Sequence, residues 1–199
     1  MREPSESSRR VLLFAKTPMA GKVKTRLAPS LGKHGALRAY RHLLGHTVEM
    51  LAASPFAPDV QVLATPQRFQ RQFPSHAQGR GDLGARMLRA FAAGAFPALA
   101  IGTDCPRLNA DSLASAFAKL RDADVVFGPA LDGGYYLIGL KQRQPQLFRG
   151  IAWGTSAVLR QSLAIARRLR LKIALLPALS DIDSPRDWRG LALKPTDRH

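Results

Sequence analysis

The chain has 199 residues, 46% hydrophobic and 22% charged, which suits a globular domain with a proper core. One cysteine, Cys105, excludes an intrachain disulfide and a multi-cysteine zinc site, and the 5 histidines show no metal-ligand spacing. The net charge of +16 draws polyanions such as nucleotides, nucleic acid or acidic lipid, although a bias toward scattered arginine accounts for it equally well.

Residues 1–10 are polar and charged and read as a flexible tail, followed by a single domain over 11–199. Residues 11–15 (VLLFA) form a short apolar run of the buried-strand type, cut off by Lys16. That interruption argues against an export signal, and no apolar stretch reaches the roughly 20 residues of a membrane helix. A cytoplasmic protein without a membrane span is the expectation. A helix is predicted over 35–53, with Leu37, Tyr40, Leu44, Val48 and Leu51 on one face. Residues 59–65 read as a second strand, 84–95 as a helix, and 98–102 as a third strand ending at Thr103-Asp104. An amphipathic helix over 109–120, a strand over 124–128, a turn at Asp132-Gly133-Gly134 and a strand over 135–140 follow. A helix over 156–168 and a strand over 171–176 come next. Ser184-Pro185-Arg186-Asp187 then opens a terminal helix with Ser as N-cap, Pro in the first position and Asp in the first turn. Such alternation predicts a three-layer α/β/α sandwich with a mainly parallel sheet, ligands binding beyond the carboxyl ends of the strands.

The acids are few, and several sit in compact motifs just after predicted strands. Lys16-Thr17-Pro18-Met19-Ala20-Gly21-Lys22-Val23-Lys24-Thr25-Arg26 crowds four cations into a loop shaped by Pro and Gly. Backbone N–H groups with Lys and Arg can grip a polyphosphate there, and this reading is preferred to a solvated basic loop. It is not a P-loop: no Gly stands five residues before Gly21, and Val23 occupies the Ser/Thr position. Asp104, in Gly102-Thr103-Asp104-Cys105-Pro106, is placed to ligate Mg²⁺, since Asn109 is nearer the next helix and better placed to cap it. Cys105 has no assignable base beside it and reads as a small packed residue. Asp132-Gly133-Gly134 fits a ligand-approaching loop or a plain hairpin turn about equally. Asp181-Ile182-Asp183 offers alternate carboxylates as a second metal ligand, with helix capping as the competing role.

The run FAKTPMAGKVKTRLAP, then GDLGARM, GTDCP, GPALDGGYYLIGL, WGTS and DIDSPRDW, resembles a bacterial family of glycosyltransferase-like proteins over residues 11–191. That family is related to 2-phospholactate guanylyltransferase and, more distantly, to molybdenum-cofactor guanylyltransferase and sugar-phosphate nucleotidyltransferases. The resemblance implies the nucleotide-diphospho-sugar transferase fold, also called GT-A and Rossmann-like. It assigns Lys22, Lys24 and Arg26 to the phosphates, in the loop whose Lys16 and Gly21 are also read as nucleotide-binding, and Asp82 and Gly84 to the base or ribose. It implies Asp104 and Asp183 as Mg²⁺ ligands, and Asp132, Gly133, Gly134, Trp153 and Thr155 at the acceptor. Lys24, Arg26, Asp104 and Asp132 are then the catalytic candidates. The chain departs from its relatives in lacking a Gly-Thr-Arg style first loop and an Asp-x-Asp at its centre.

The leading expectation is a Mg²⁺-dependent nucleotidyltransferase, moving a nucleoside monophosphate from a nucleoside triphosphate to a small phosphorylated or acidic acceptor. A metal-dependent glycosyltransferase using a nucleotide-sugar donor is the runner-up. A basic nucleic-acid-binding module ranks low: aromatic residues are 7% and no recognition motif occurs, so no specific nucleic-acid partner is expected.

Overall fold

The computed structural model describes residues 9–64 and 72–192. Strands β1 (Arg10–Phe14), β2 (Val60–Ala64), β3 (Ser75–Ala77), β4 (Ala98–Ile101), β5 (Val125–Pro129), β6 (Tyr135–Leu140) and β7 (Ile173–Leu175) form one sheet in the order β3-β2-β1-β4-β6-β5-β7. Four of its six pairings are parallel; only β6, inserted between β4 and β5, runs against its neighbours.

The helices are α1 (Ala28–Ala52), α2 (Leu83–Ala92), α3 (Ala110–Lys119), α4 (Val158–Arg168) and α5 (Pro185–Ala192). Alternate residues of each central strand face opposite cores, as a two-residue period requires. Val11, Leu13, Val62, Leu99 and Val126 pack under Tyr40, Leu44 and Leu51 of α1 and Leu113 and Phe117 of α3. Leu12, Leu63, Ala100, Phe127 and Ile138 pack under Met87 and Phe91 of α2 and Val158 and Ile165 of α4. The result is the three-layer α/β/α sandwich.

The differences from the expected elements have physical causes. Arg10, assigned to the tail, is the first residue of β1 and 7% exposed. Its guanidinium donates to the carbonyls of Ala90, Phe91 and Ala95 and so closes the end of α2; residues 1–8 of the expected tail lie outside the described residues. The first helix begins at Ala28, ahead of the apolar periodicity, and kinks at Gly32, whose φ of 69° only glycine adopts freely. The strand expected over 59–65 ends at Ala64; Thr65 lies outside the described residues. β3 escaped notice because three residues, Ser-His-Ala, carry neither an apolar run nor an alternation.

Candidate functional site

A cleft of about 680 Å³ opens beyond the carboxyl ends of β1 and β4. Its floor begins where β1 ends. The Lys16 N–H donates to Tyr40 Oη at 2.7 Å, and the same hydroxyl donates to the Lys16 carbonyl at 2.8 Å. Tyr40, on α1, thereby fixes how the basic loop leaves the sheet. Burial pushes its phenol up to about 12, so it serves as a neutral double hydrogen-bonding group at physiological pH. Further along, Gly21 takes a φ of 75° and the Lys22 N–H donates to the Met19 carbonyl. Val23, 1% exposed, pins the loop to the core, and Lys24 follows in the left-handed region at φ 44°.

Lys24 is where two distant motifs meet. Its Nζ lies 2.9 Å from Asp104 Oδ1 and 3.1 Å from Asp183 Oδ1, and donates to the Ile182 carbonyl at 2.6 Å. The lysine side chain is 4% exposed, against 49% for Asp104 and 35% for Asp183. Burial alone would lower its pKa, but the Asp104 and then the Asp183 carboxylates outweigh that and hold it above its ordinary value. Arg26 Nη1 takes the other oxygen of Asp183 at 2.9 Å. Two cations thus balance two carboxylates.

The backbone brings these carboxylates together. Tyr136 Oη donates to the Pro177 carbonyl at 3.0 Å, the Leu179 N–H to Pro129, and the Ile182 N–H to the Asp104 carbonyl at 2.9 Å. Residues 177–183 are therefore laid across the strand ends before α5 starts. At that start the Ser184 hydroxyl accepts from the Asp187 N–H, and Asp187 Oδ2 accepts from the N–H groups of Asp183 and Ser184. The Ser184 hydrogen bond in particular holds the Asp187 carboxyl below its ordinary value.

The opposite wall comes from the segment between β3 and α2. Gln78 is buried; its Nε2 donates to the carbonyls of Ala15 and Leu63, tying β1 to β2, and its Oε1 accepts from Arg86 Nη1 at 3.2 Å. Arg86 is thereby held facing the cleft with Asp82, which caps α2 by accepting from the Ala85 N–H at 2.8 Å. Gly84 does not line the cleft. A side chain there would meet Trp153 Nε1 at 2.6 Å and the Phe148 carbonyl at 2.7 Å, so the absent Cβ lets α2 pack beneath the Trp153 loop.

Of the residues singled out in the sequence, Lys16, Lys24, Arg26, Asp82, Asp104, Trp153 and Asp183 line the cleft together. Gly21, Lys22, Asp132, Gly133, Gly134 and Thr155 lie outside its lining. Asp132 closes its own turn by accepting from the Gly134 N–H at 2.8 Å. Gly133, at φ 90°, abuts the Ser156 carbonyl where the turn meets the start of α4. Thr155 Oγ1 donates to the Ala152 carbonyl. Asp181 stands beside this turn; burial, then the nearby Asp132 and Asp183, raises its carboxyl to about 6. Cys105 is buried and its thiol is pushed up to about 12, chiefly by that burial, which fits a packed residue rather than a nucleophile. Sequence reasoning missed Tyr40, Gln78 and Arg86 as cleft residues. Tyr40 lies on a periodic helix face and reads as core; Gln78 belongs to no pattern, and Arg86 falls inside the GDLGARM run, where Asp82 and Gly84 drew the assignment.

The model of a bacterial family, described as "Uncharacterized protein conserved in bacteria (DUF2064)", matches residues 44–155. The chain belongs to the DUF2064 family. It is 31% identical to a protein of Desulfovibrio desulfuricans G20 provisionally called a nucleotide-diphospho-sugar transferase, with 96% of this chain and 89% of that one covered and a TM-score of 0.84. The same fold occurs in a cytidylyltransferase of Leptospira borgpetersenii, 15% identical, with coverages of 92% and 84% and a TM-score of 0.61. It occurs again in CMP:2-keto-3-deoxy-manno-octonic acid synthetase complexed with CTP, 10% identical, with coverages of 92% and 96% and a TM-score of 0.58. No protein of curated function matches this DUF2064 chain in sequence.

Proposed function

We propose that the chain is a nucleotidyltransferase whose single domain, beginning with β1 at Arg10, moves a nucleoside monophosphate from a triphosphate to a small phosphorylated or acidic acceptor with Mg²⁺. The observation that carries this reading is the convergence of Lys24, Arg26, Asp104 and Asp183 in one cleft at the strand ends. Kinship with a protein called a nucleotide-diphospho-sugar transferase, and a fold shared with a CTP-bound synthetase, support it.

Among the described residues no group of three or more His, Cys, Asp or Glu converges on a metal. The pair Asp104 and Asp183 nonetheless fits Mg²⁺, which commonly takes one or two carboxylates and completes its shell with water and substrate phosphates. Both carboxylates are partly exposed to the cleft, as such a shared site requires. Bound there, the ion would neutralise charge on the phosphates. Arg26, 70% exposed, is free to swing from Asp183 to the leaving pyrophosphate, with Lys16 and Lys24 beside it. Arg86, anchored by Gln78, and Asp82 would then face the nucleoside and Trp153 the acceptor, with the Asp132 turn outside the cleft lining. Positioning and charge stabilisation suffice for this chemistry without a covalent intermediate.

One observation favours a second reading, glycosyl transfer to a hydroxyl. Asp132, Asp181 and Asp183 lie close enough for their charges to act on one another, and that concentration of negative charge beside the cleft disfavours an anionic acceptor. The deciding experiment is thermal stabilisation by each nucleoside triphosphate and nucleotide-sugar, with and without Mg²⁺, followed by product assay. Pyrophosphate release from one triphosphate supports nucleotidyl transfer; free sugar released from a nucleotide-sugar supports the second reading, and no shift with any ligand overturns both. In either case Asp104→Asn should lower turnover by on the order of a hundredfold or more with the fold retained. Full activity in that variant would remove Asp104 from the site.

A further inference from the structure

The Lys24 ammonium lies between the two carboxylates that would hold the divalent ion. It contacts one oxygen from each of Asp104 and Asp183, at 2.9 and 3.1 Å, and its third donor is taken by the Ile182 carbonyl. An ammonium has three donors, so Lys24 is saturated. Arg26 engages the remaining oxygen of Asp183, and the four charges sum to zero. A free Mg²⁺ entering this neutral cluster would raise it to two positive charges and would compete with a buried ammonium for the carboxylates. The same ion arriving on a polyphosphate brings more negative than positive charge. Those phosphate oxygens offer Lys24 new acceptors within the cleft its side chain already lines.

We propose that Lys24 is a resident counter-cation for the Asp104–Asp183 pair, so that a divalent ion enters only together with a polyphosphate, which takes over the Lys24 ammonium. This inference rests on the nucleotidyl-transfer reading for its metal and its phosphate, and it makes metal affinity and phosphate affinity depend on each other through one side chain. The backbone supports the exchange. Lys24 is fixed in a left-handed conformation beside the buried Val23, so the ammonium moves by rotating its stem rather than by moving the loop.

The test is Mn²⁺ binding followed by electron paramagnetic resonance, which reads the ion without any turnover. Wild type should hold Mn²⁺ weakly when it is added alone and much more tightly with inorganic tripolyphosphate. Lys24→Met, keeping the stem and removing the charge, should bind Mn²⁺ alone at least about tenfold more tightly than wild type, because the two carboxylates then face the ion with one counter-cation, Arg26, instead of two. Lys24→Gln, a polar replacement, should do the same if the methionine variant folds poorly. Equal Mn²⁺ affinity in wild type and the folded variant overturns the proposal, as does strong binding of Mn²⁺ alone by wild type. The nucleotidyl-transfer reading fails separately, if wild type binds no nucleoside triphosphate under any condition.

Discussion

At the scale of single residues, the cleft is governed by how few counterions its carboxylates have. Lys24 is the decisive one, since it holds Asp104 from mid-chain and Asp183 from the segment before α5 on one nitrogen. Changing Lys24 and Arg26 together to Ala should weaken triphosphate binding by about tenfold or more while changing nucleoside binding little. Equal losses for both ligands, measured by calorimetry, would show that the loop does not grip phosphate. Asp181 makes a pH prediction. Its carboxyl sits near 6 in the folded protein against an ordinary 3.8, so the folded state keeps a proton that the unfolded chain has lost. This protonated carboxyl favours folding most at low pH, and the advantage disappears as pH rises from about 4 to about 6. Asp181→Asn should therefore gain stability over wild type across that window, by about 1 kcal/mol once solvent screening is allowed for. Urea titrations of both proteins at a series of pH values check it, and a constant difference would contradict the assignment.

At the scale of elements, each wall of the cleft is a helix start tied to a strand end. α2 begins on the Asp82 cap and slides under Trp153 because Gly84 has no side chain. Gly84→Ala should cost about 1–3 kcal/mol and displace the Trp153 loop, since one of the three atoms crowding the new methyl group is a backbone carbonyl oxygen. Chemical denaturation and tryptophan fluorescence report both effects, and an unchanged protein would mean that the loop gives way freely. α5 begins on a box closed between Ser184 and Asp187, which the sequence announced through Ser184, Pro185 and Asp187. Asn109 likewise caps α3 by accepting from the Ser112 N–H, which leaves Asp104 available to the cleft.

At the scale of the molecule, the last helix joins the segment that carries Asp183 to the α1 region. Trp188 of α5 packs with Leu27, Ala36 and Ala39 of the α1 region and lies edge-on to His42 at 5.9 Å between ring centres. Trp188→Ala should loosen α5, costing about 1–3 kcal/mol, and speed hydrogen exchange at Ile182, whose N–H bonds the Asp104 carbonyl. Amides of β1 and β4 should keep their protection; if they exchange faster as well, the effect is global rather than confined to the site. The charge of +16 acts at this scale too. Any affinity for duplex DNA should collapse with added salt and need no Mg²⁺, whereas triphosphate binding in the cleft should depend on the metal. Fluorescence anisotropy with both ligands separates them. No helix among the described residues is long and apolar enough to cross a membrane.

The sequence by itself determined the layered architecture, because buried strands and amphipathic helices announce themselves through local periodicity. Four residues of VLLFA became β1, behind Arg10, and DVVFG mostly became β5 for that reason. It also marked Lys16, Lys24, Arg26, Asp82, Asp104 and Asp183, since charged residues beside Gly or Pro after an apolar run are locally conspicuous. What only the tertiary structure decided is who faces whom. That Lys24 bridges Asp104 and Asp183, that Gln78 ties two strands while holding Arg86, and that Gly84 makes room for Trp153 are contacts across long stretches of chain. Local periodicity carries no information about such pairings; they follow from strand order and from the path of residues 177–183 across the sheet, which non-local hydrogen bonds set.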